Sequence, residues 1–266
     1  MIKLIVTDLD GTLLDDEKKL PLDFYEVYEE LKSKGIQFAV ASGRSYSGVE
    51  SIFGELAKDI FFICDNGAFT VENSQIIDIR LMDKSIIERL LNFAEKIGGV
   101  GAMLCGANGT YVAKDSMPSF IEKMKTHYSP VTYVESLYHV QDDIFKLSLW
   151  DGGDIVSHSY LPLAEEFGKE LTIHMAANVW IDTMDISVDK GVGVKRIQEK
   201  LGITQEETMA FGDFYNDIPL LKTASHSFVM ANANEDMKQN ATHIADDCNH
   251  GGVTKAIKEY ALIEFE

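Results

Sequence analysis

The stretch Leu4-Ile5-Val6-Thr7-Asp8-Leu9-Asp10-Gly11-Thr12-Leu13-Leu14 joins an apolar segment to two carboxylates. Its first residues have the length and β-branched content of a strand that is buried in a parallel sheet. Successive side chains of an extended chain point to opposite faces, so Asp8 and Asp10 project to one side and Leu9 to the other. Gly11 then ends the strand. The stretch therefore predicts a buried strand with two carboxylates at its carboxyl end.

Two carboxylates held side by side repel each other, and burying them is costly unless a cation lies between them or one takes a proton. Ligand sites of open α/β sheets lie at the carboxyl ends of the strands, where this pair is expected. The pattern thus indicates a site for chemistry. The alternative is an acidic loop after a core strand, which is common for one Asp and less so for Asp-x-Asp-Gly-Thr.

The composition limits the class of protein. With 266 residues, of which 45% are hydrophobic, the chain is long enough for one large domain or two ordinary domains with a sizeable core. Its net charge of −19 argues against binding to nucleic acid or to anionic membranes, because both require Lys and Arg patches. An anionic ligand must then be held locally, by a metal ion and a few well-placed cations.

Cysteine usage and the start of the chain predict a soluble, cytoplasmic protein. The three cysteines are widely spaced and show no C-x-x-C pattern, which indicates neither a disulfide framework nor a zinc site. The chain reaches Asp8 too early to contain a signal-peptide core, and it has no run of eighteen apolar residues. We therefore expect no association with a membrane.

Hydrophobic periodicity at both ends of the chain predicts strands that alternate with helices, and hence a parallel sheet with right-handed crossovers. The predicted strands cover residues 1–6, 37–41, 60–64, 208–211, 227–230 and 243–245. The predicted helices cover residues 21–35, 46–57, 190–201, 218–222 and 254–263. Segments 68–72 and 75–80, separated by Asn73-Ser74, are interpreted as a hairpin.

In the middle of the chain the predicted order of elements changes to paired strands between helices, which is typical of an antiparallel sheet. Its predicted helices cover residues 84–97, 116–127 and 155–167, and its predicted strands cover 100–105, 110–114, 131–134, 144–150, 171–175 and 179–186. The predicted fold is therefore a Rossmann-like, doubly wound α/β core, formed by residues 1–81 and 186–266, with an inserted α+β domain of residues 82–185.

Four polar clusters follow strands or begin helices of the predicted parallel sheet. They are Asp8 with Asp10, Ser42, Lys190, and Asp213 with Asn216 and Asp217. Each cluster also has a simpler explanation. Serine often caps a helix, a lysine near a helix start is compatible with a solvated position, and Gly-Asp and Asn-Asp are ordinary turn residues.

Together the clusters fit one binding site. Three carboxylates around one point suit a hard cation, and Mg²⁺ takes a few carboxylates together with phosphate oxygens and water. One hydroxyl and one ammonium group complete a site for a phosphate dianion. A lysine at a helix start opposes the helix dipole, which favours an anion nearby. We therefore predict a Mg²⁺ and phosphate site at the carboxyl edge of the sheet.

The chain resembles the haloacid dehalogenase (HAD) superfamily, and within it the Cof-type branch with a large inserted, C2B-like α/β cap. The resemblance rests on four motifs in order, which are Asp8-Leu9-Asp10-Gly11-Thr12, Ser42-Gly43-Arg44, Lys190-Gly191 and Gly212-Asp213-Phe214-Tyr215-Asn216-Asp217. Asn66-Gly67-Ala68 and Gly251-Gly252-Val253 also resemble that branch. Phe214 departs from it, since many relatives carry Gly or another small or polar residue there, but this changes none of the candidate ligands.

The resemblance implies a Mg²⁺-dependent phosphatase that acts through an aspartyl-phosphate. Asp8 is then the nucleophile, and Asp10 is the general acid that protonates the leaving alcohol and later activates water. Ser42 and Lys190 hold the transferring phosphoryl group. A metal-bound Asp8 is expected to stay ionised, whereas Asp10, which faces like charge, is expected to keep a proton near neutral pH.

The resemblance also implies the remaining ligands. Mg²⁺ would be held by the Asp8 carboxylate, the Asp10 backbone carbonyl and Asp213. Asp217 would act on the metal through water or orient Lys190, and Asn216 would face the phosphate or Lys190. Further substrate contacts are expected from Gly11, Thr12, Gly43, Arg44, Asn66 and Gly67. The last three of these positions are equally compatible with turn or surface residues.

The inserted cap is expected to select the substrate by closing over the site. Candidate residues there are His127, His174, Asn178 and Trp180, although such residues more often serve packing or the surface. The expected partner is a small phosphorylated metabolite, with sugar phosphates favoured by the resemblance. The protein is expected to be a monomer or a homodimer.

Two other functions remain open. A phosphomutase or phosphotransferase shares the aspartyl-phosphate but returns the phosphoryl group to an alcohol rather than to water. A non-catalytic regulator would bind a phosphorylated metabolite without turnover. The presence of Asp8, Asp10, Lys190 and Asp213 gives the regulator little support.

Overall fold

The computed structural model describes residues 1–127, 130–176 and 179–262, and only the backbone of residues 126 and 127. The chain divides into two compact units, of which one comprises Met1–Asp78 with Asp189–Glu266 and the other Ile79–Val188. Periodicity had divided the chain after residues 81 and 185, so the two junctions differ by three residues each. The role of the second unit as a substrate-selecting cap stays a prediction.

The described part of the chain contains both strands and α-helices. The strands are β1 (Leu4–Thr7), β2 (Gln37–Ala41), β3 (Phe61–Cys64), β4 (Phe69–Glu72), β5 (Gln75–Ile79), β6 (Gly101–Gly106), β7 (Gly109–Ala113), β8 (Val131–Val134), β9 (Ile144–Trp150), β10 (Leu171–Met175), β11 (Trp180–Asp185), β12 (Thr208–Gly212), β13 (His226–Met230) and β14 (His243–Ala245). The α-helices are α1 (Phe24–Ser33), α2 (Tyr46–Phe53), α3 (Lys84–Ile97), α4 (Pro118–His127), α5 (Leu161–Phe167), α6 (Lys190–Leu201), α7 (Ile218–Leu221) and α8 (Gly252–Tyr260).

The first sheet has the strand order β14-β13-β12-β1-β2-β3-β4-β5. Strands β14 to β3 pair in parallel, and β4 joins β3 antiparallel. The first strand of the chain is central, because Thr7 lies opposite both Phe211 of β12 and Val40 of β2. The segments that follow β1, β2 and β12 therefore leave the sheet at the same edge.

Helices cover both faces of this sheet, as alternation of the buried side chains requires. Ile5 faces the cluster that contains Phe24 of α1 and Ile257 of α8. Leu4 and Val6 face the opposite cluster, which contains residues of α6 and α7. The predicted doubly wound α/β core is confirmed.

The second unit contains a sheet of order β10-β11-β9-β6-β7-β8, in which only the β7–β8 pair is parallel. Helices α3 and α5 pack on Leu147, Leu149 and other residues of one face. On β9 the side chain of Trp150 alternates with these leucines and stacks on Phe120 of α4, with 6.0 Å between ring centroids. This mixed architecture confirms the predicted inserted α+β domain.

Two predicted helices differ locally from the structure. The helix predicted over 46–57 ends at Phe53 and continues as a 3₁₀ helix over Gly54–Asp59, since Gly54 adopts a left-handed φ of 55°. The helix predicted over 155–167 contains a π-helical turn at Val156–Tyr160 before α5. None of the helices in the described residues combines the length and the apolar composition that a membrane-spanning helix needs.

Candidate active site

The loop after β1 turns sharply at the carboxyl edge of the sheet. Gly11 has a φ of +79°, a left-handed conformation that side chains rarely adopt. A Cβ atom at this position would lie 2.5 Å from Oδ2 of Asp213, which follows β12. The neighbouring Thr12 donates its hydroxyl proton to Oδ1 of Asp213 at 2.8 Å. The structure thus holds the first and fourth motifs against each other.

Three carboxylates meet at this edge. Oxygen atoms of Asp8, Asp213 and Asp217 lie within 4.8 Å of one another, which is a geometry that a metal ion fits. The ammonium group of Lys190 lies 2.6 Å from Oδ1 of Asp8 and 2.6 Å from Oδ1 of Asp217. Its side chain is only 2% exposed. Lys190 is therefore a buried cation between two of the carboxylates.

Helix α6 positions this cation. The helix begins at Lys190, directly after Asp189, whose carboxylate accepts the backbone N–H of Val192 at 2.8 Å and caps the helix. Gly67 packs closely against Asp189, the N-cap residue of α6. A Cβ atom at Gly67 would lie 2.0 Å from the Asp189 carbonyl oxygen. Because Gly67 also has a φ of +103°, only glycine fits this contact without strain.

Both oxygens of Asp217 are already occupied by protein donors. Lys190 binds Oδ1, and the backbone N–H groups of Asp213 and Phe214 donate to Oδ2 at 3.0 Å each. The side chain is fully buried. Asp217 therefore orients Lys190 and the loop after β12, which is one of the two arrangements that the sequence left open.

Burial and mutual repulsion shift the pKa values of this cluster. Burial, with a smaller contribution from Asp217 and Asp213, raises the pKa of Asp8 to about 8, although Lys190 opposes the shift. Burial likewise raises the pKa of Asp213 to about 6, against the hydrogen bond from Thr12. Burial lowers the pKa of Lys190, but Asp8 and Asp217 outweigh it and raise the pKa above its ordinary value. The cluster therefore favours an additional positive charge.

Asp10 is not one of these three carboxylates and is bound by two other cations. Arg44 donates from Nε to Oδ2 of Asp10 at 2.8 Å and from Nη2 to Oδ1 at 2.5 Å. Lys18 lies 2.8 Å from Oδ1 of the same carboxylate. Although burial raises the pKa of Asp10, Arg44 and Lys18 outweigh it and hold the pKa below its usual value.

The expectation that Asp10 faces like charge and keeps a proton near neutral pH is therefore wrong for the protein side chains. The ionised state expected of Asp8 is that of its metal-bound form, and it stays a prediction. In the structure Asp10 faces the cations Arg44 and Lys18 instead, whereas Asp8 lies beside the carboxylates of Asp213 and Asp217. The reason is that each carboxylate turns toward a different set of residues from other segments of the chain.

Further predicted site residues at this edge of the sheet come from the second motif and from the loop after β3. Ser42 is buried and its hydroxyl accepts the backbone N–H of Arg44 at 3.2 Å. It does not cap α2, whose N-cap residue is Ser45. Asn66 has a left-handed φ of 56° and accepts a hydrogen bond from Nδ2 of Asn216 at 3.0 Å. Asn216 therefore faces Asn66 rather than Lys190.

Gly43 joins these groups through Asn66, since a Cβ atom at Gly43 would lie 3.2 Å from the Asn66 side-chain oxygen. The sequence did not single out Lys18 and Asn232. Asn232 follows β13 at the same sheet edge, and its Nδ2 donates to the Gly11 carbonyl at 2.8 Å. The position of Asn232 directly after a predicted parallel strand could have indicated that it lies at this sheet edge. No comparable sequence feature indicated that Lys18 contacts Asp10.

The residues considered for the inserted domain have different outcomes. Trp180 is buried and packs on Phe120, with 5.9 Å between ring centroids, which is a packing role. His174 lies on β10. The side chain of His127 and all of Asn178 lie outside the described part of the chain. Their participation in substrate selection stays a prediction.

Comparison with known proteins identifies the family. A family model described as haloacid dehalogenase-like hydrolase matches residues 5–257. The 5-amino-6-(5-phospho-D-ribitylamino)uracil phosphatase YbjI of Escherichia coli K12 is 31% identical over 261 residues, which cover 96% of this chain and 95% of that protein. The phosphatase YcsE of Bacillus subtilis 168, named for the same substrate, is 27% identical, with coverages of 98% and 96%.

A solved structure agrees with the fold. TM0651 from Thermotoga maritima superposes with a TM-score of 0.86 at 21% identity, covering all of this chain and 99% of that chain. The resemblance that the four motifs predicted is confirmed by the family match. The chain therefore belongs to the haloacid dehalogenase-like hydrolases and is an enzyme of the HAD phosphatase type.

Proposed function

We propose that this protein is a Mg²⁺-dependent phosphatase that hydrolyses a small phosphorylated metabolite through an aspartyl-phosphate on Asp8. The observation that carries the proposal is the position of the Asp8 carboxylate. It lies at the carboxyl end of the central strand, 2.6 Å from a buried ammonium group and beside two further carboxylates. This is the arrangement that attack on a phosphate ester requires, because charge must be neutralised around the reacting oxygen atoms.

The acidic cluster fits a divalent cation. The raised pKa values of Asp8, which is buried, and of Asp213, which is partly buried, indicate that these carboxylates lack sufficient positive charge from the protein side chains. We propose Asp8, Asp213 and the Asp10 backbone carbonyl as direct ligands. Asp217 is a poorer direct ligand, since its two oxygens already accept three hydrogen bonds. Bound Mg²⁺ would neutralise charge on the phosphoryl oxygens.

Asp8 is proposed as the nucleophile. Lys190 binds its Oδ1 and thereby fixes the direction of the carboxylate. The other oxygen attacks phosphorus while the ester oxygen leaves. Ser42 accepts a hydrogen bond from the backbone and keeps its own hydroxyl proton for a phosphoryl oxygen. Gly11, Thr12, Gly43, Arg44, Asn66, Gly67 and Asn216 remain proposed substrate-contacting positions around this centre.

Asp10 is proposed as the general acid that protonates the leaving alcohol and then as the base that activates water. Arg44 and Lys18 bind both of its oxygens and favour the ionised form. The acid form therefore requires that at least one of these cations turns to another anion. An incoming phosphate group is such an anion.

The proposed substrate is a sugar or sugar-alcohol phosphate. Two relatives that align over almost the whole chain are named as phosphatases of 5-amino-6-(5-phospho-D-ribitylamino)uracil, which carries its phosphate on a ribityl chain. That compound is the first member of the panel to test. Simple pentose and hexose phosphates form the second group.

The decisive experiment measures phosphate release from this panel with and without Mg²⁺, for the native chain and for Asp8→Asn. We expect turnover to require the metal and to fall by about 10³-fold or more in the variant, because the amide is a poor nucleophile. Asp59→Asn is the matched control, since Asp59 is an exposed carboxylate that precedes β3 and pairs with Lys32 at 2.5 Å. Near-native rates in Asp8→Asn would rule out this nucleophile.

The same assay separates hydrolysis from transfer. A phosphatase releases inorganic phosphate in the amount of alcohol formed. A phosphomutase or phosphotransferase yields a new phosphate ester, and added alcohol acceptors increase that product. Product analysis by phosphorus NMR distinguishes the two outcomes.

A further inference from the structure

A tight turn follows the first motif and presents one lysine to Asp10. The backbone N–H of Asp15 donates to the Lys19 carbonyl at 3.1 Å, and that of Lys18 donates to the Asp15 carbonyl at 2.9 Å. The Asp15 carboxylate accepts the N–H of Lys19 at 2.8 Å. These bonds hold Lys18 at a φ of +63°, in the left-handed region that Gly, Asn and Asp prefer.

Lysine is unfavourable at this position because of its left-handed backbone conformation. An explanation for its presence must therefore come from the contacts of its side chain. The ammonium group lies 2.8 Å from Oδ1 of Asp10, the same oxygen that Nη2 of Arg44 contacts at 2.5 Å. Two cations from different segments thus share one carboxylate. The group of three has a net positive charge beside the acidic cluster of Asp8 and Asp213.

Accessibility distinguishes these cations from Lys190. The side chain of Lys18 is 55% exposed and that of Arg44 is 34% exposed, whereas that of Lys190 is 2% exposed. Lys190 is also held by Asp8 and Asp217. In a chain with a net charge of −19, an approaching phosphate dianion is repelled by the overall field. It therefore needs cations that it can reach from solvent.

We propose that Lys18 is a substrate-binding residue that receives the phosphate monoester dianion together with Arg44, in exchange for the Asp10 carboxylate. The inference rests on the proposed phosphatase function and adds a residue to its binding site. The exchange replaces one anion by another, so neither cation becomes unpaired. It also frees Asp10 from at least one cation when substrate is present, and not before.

The test compares Lys18→Asn, Lys18→Arg and Lys19→Asn with the native protein. Asn tolerates the left-handed φ of Lys18, so the first variant removes the charge without disturbing the turn. Arg retains the charge. Lys19 is the matched control because it lies in the same turn and pairs with Glu17 at 2.5 Å. Thermal unfolding of each variant verifies that the fold is kept.

The first readout is steady-state hydrolysis of a phosphate ester that the native protein turns over with Mg²⁺. For Lys18→Asn we expect KM and the inhibition constant of inorganic phosphate to rise about tenfold each, since one charge-assisted contact is lost. We expect kcat to change by less than about twofold, and Lys18→Arg to restore most of the affinity. The second readout is the stabilisation of the protein by inorganic phosphate in thermal unfolding, which should weaken in Lys18→Asn only.

Three results would overturn the inference. Unchanged KM and phosphate affinity in Lys18→Asn would make Lys18 a surface charge. A fall in kcat at unchanged KM would make it a positioning residue for Asp10 instead. An equal effect of Lys19→Asn would reduce it to a general charge effect. If the native protein hydrolyses no ester, the proposed function fails, but the unfolding measurement still decides whether Lys18 binds phosphate.

Discussion

Replacing Lys190 with methionine tests the electrostatic organisation of the site. The change gives an unbranched, uncharged side chain that is one heavy atom shorter, and it removes the charge from a position that is 2% exposed. It leaves the carboxylates of Asp8 and Asp217, which each lie 2.6 Å from the ammonium group, without their shared cation. Leaving the Asp217 carboxylate without its cation costs more free energy than leaving that of Asp8, because the Asp217 side chain is fully buried.

The expected loss follows from the cost of an unpaired buried charge. Removing one partner of a buried ion pair typically lowers the free energy of unfolding by about 3–5 kcal/mol. For a chain of this size, that corresponds to a fall in Tm of roughly 6–20 °C. Protonation of Asp8 limits the loss, since the pKa of this carboxyl is already raised to about 8.

The assay is urea and thermal unfolding with EDTA, followed by kinetics with Mg²⁺. Lys195→Met is the control, because Lys195 is an exposed residue of the same helix α6, and its unfolding free energy should change by less than about 0.5 kcal/mol. We also expect kcat/KM of Lys190→Met to fall by about 10²–10³-fold.

Adding Asp217→Asn to Lys190→Met should recover part of the lost stability, but not the activity. The second change removes one of the buried charges that the first leaves unpaired, and double-mutant comparison isolates that coupling. A loss of stability in Lys190→Met no larger than in Lys195→Met would refute the electrostatic reasoning.

Two further predictions concern the metal ligands. Thr12→Val removes the hydroxyl that donates to Asp213 at 2.8 Å, so the Mg²⁺ concentration for half-maximal activity should rise about tenfold or more. Thr12→Ser should restore the native Mg²⁺ requirement. An unchanged Mg²⁺ titration in Thr12→Val would contradict this prediction. The pKa values of Asp8 and Asp213 are raised to about 8 and about 6, so both carboxyls bind protons more tightly in the folded than in the unfolded chain. Stability in EDTA should therefore fall as the pH rises from about 4 to 8, and Mg²⁺ should stabilise the protein more at pH 8 than at pH 5 because it replaces these protons. Thermal unfolding across this range, with and without Mg²⁺, measures both effects, and a Tm in EDTA that rises with pH would contradict the assignment.

Local sequence determined most of the fold. The apolar run before Asp8 and the alternation of strands and helices predicted a parallel sheet, and β1 is central to it. The change in rhythm in the middle of the chain predicted the second sheet. Boundaries were less accurate, as at Gly54 and at Val156–Tyr160, because a left-handed glycine and a π-helical turn leave the apolar periodicity almost unchanged.

The sequence also determined which groups share the sheet edge. Parallel strands bring their carboxyl ends together, so residues after β1, β2 and β12 had to be neighbours. This topology alone brings Asp8 and Asp213 together and aligns Ser42 with them. The raised pKa of Asp8 agrees with the expectation that buried carboxylates there require a cation.

Only the tertiary structure decided how the charges of the opening stretch are paired. Alternation along the strand made Asp8 and Asp10 appear to be a repelling pair, but Asp8 binds Lys190, 182 positions away in the sequence, and Asp10 binds Arg44, 34 positions away. Local rules determine on which side of the strand a carboxylate leaves. The partner that it meets depends on loop conformations, such as the left-handed residues Gly11 and Lys18, and on helices packed from distant parts of the chain.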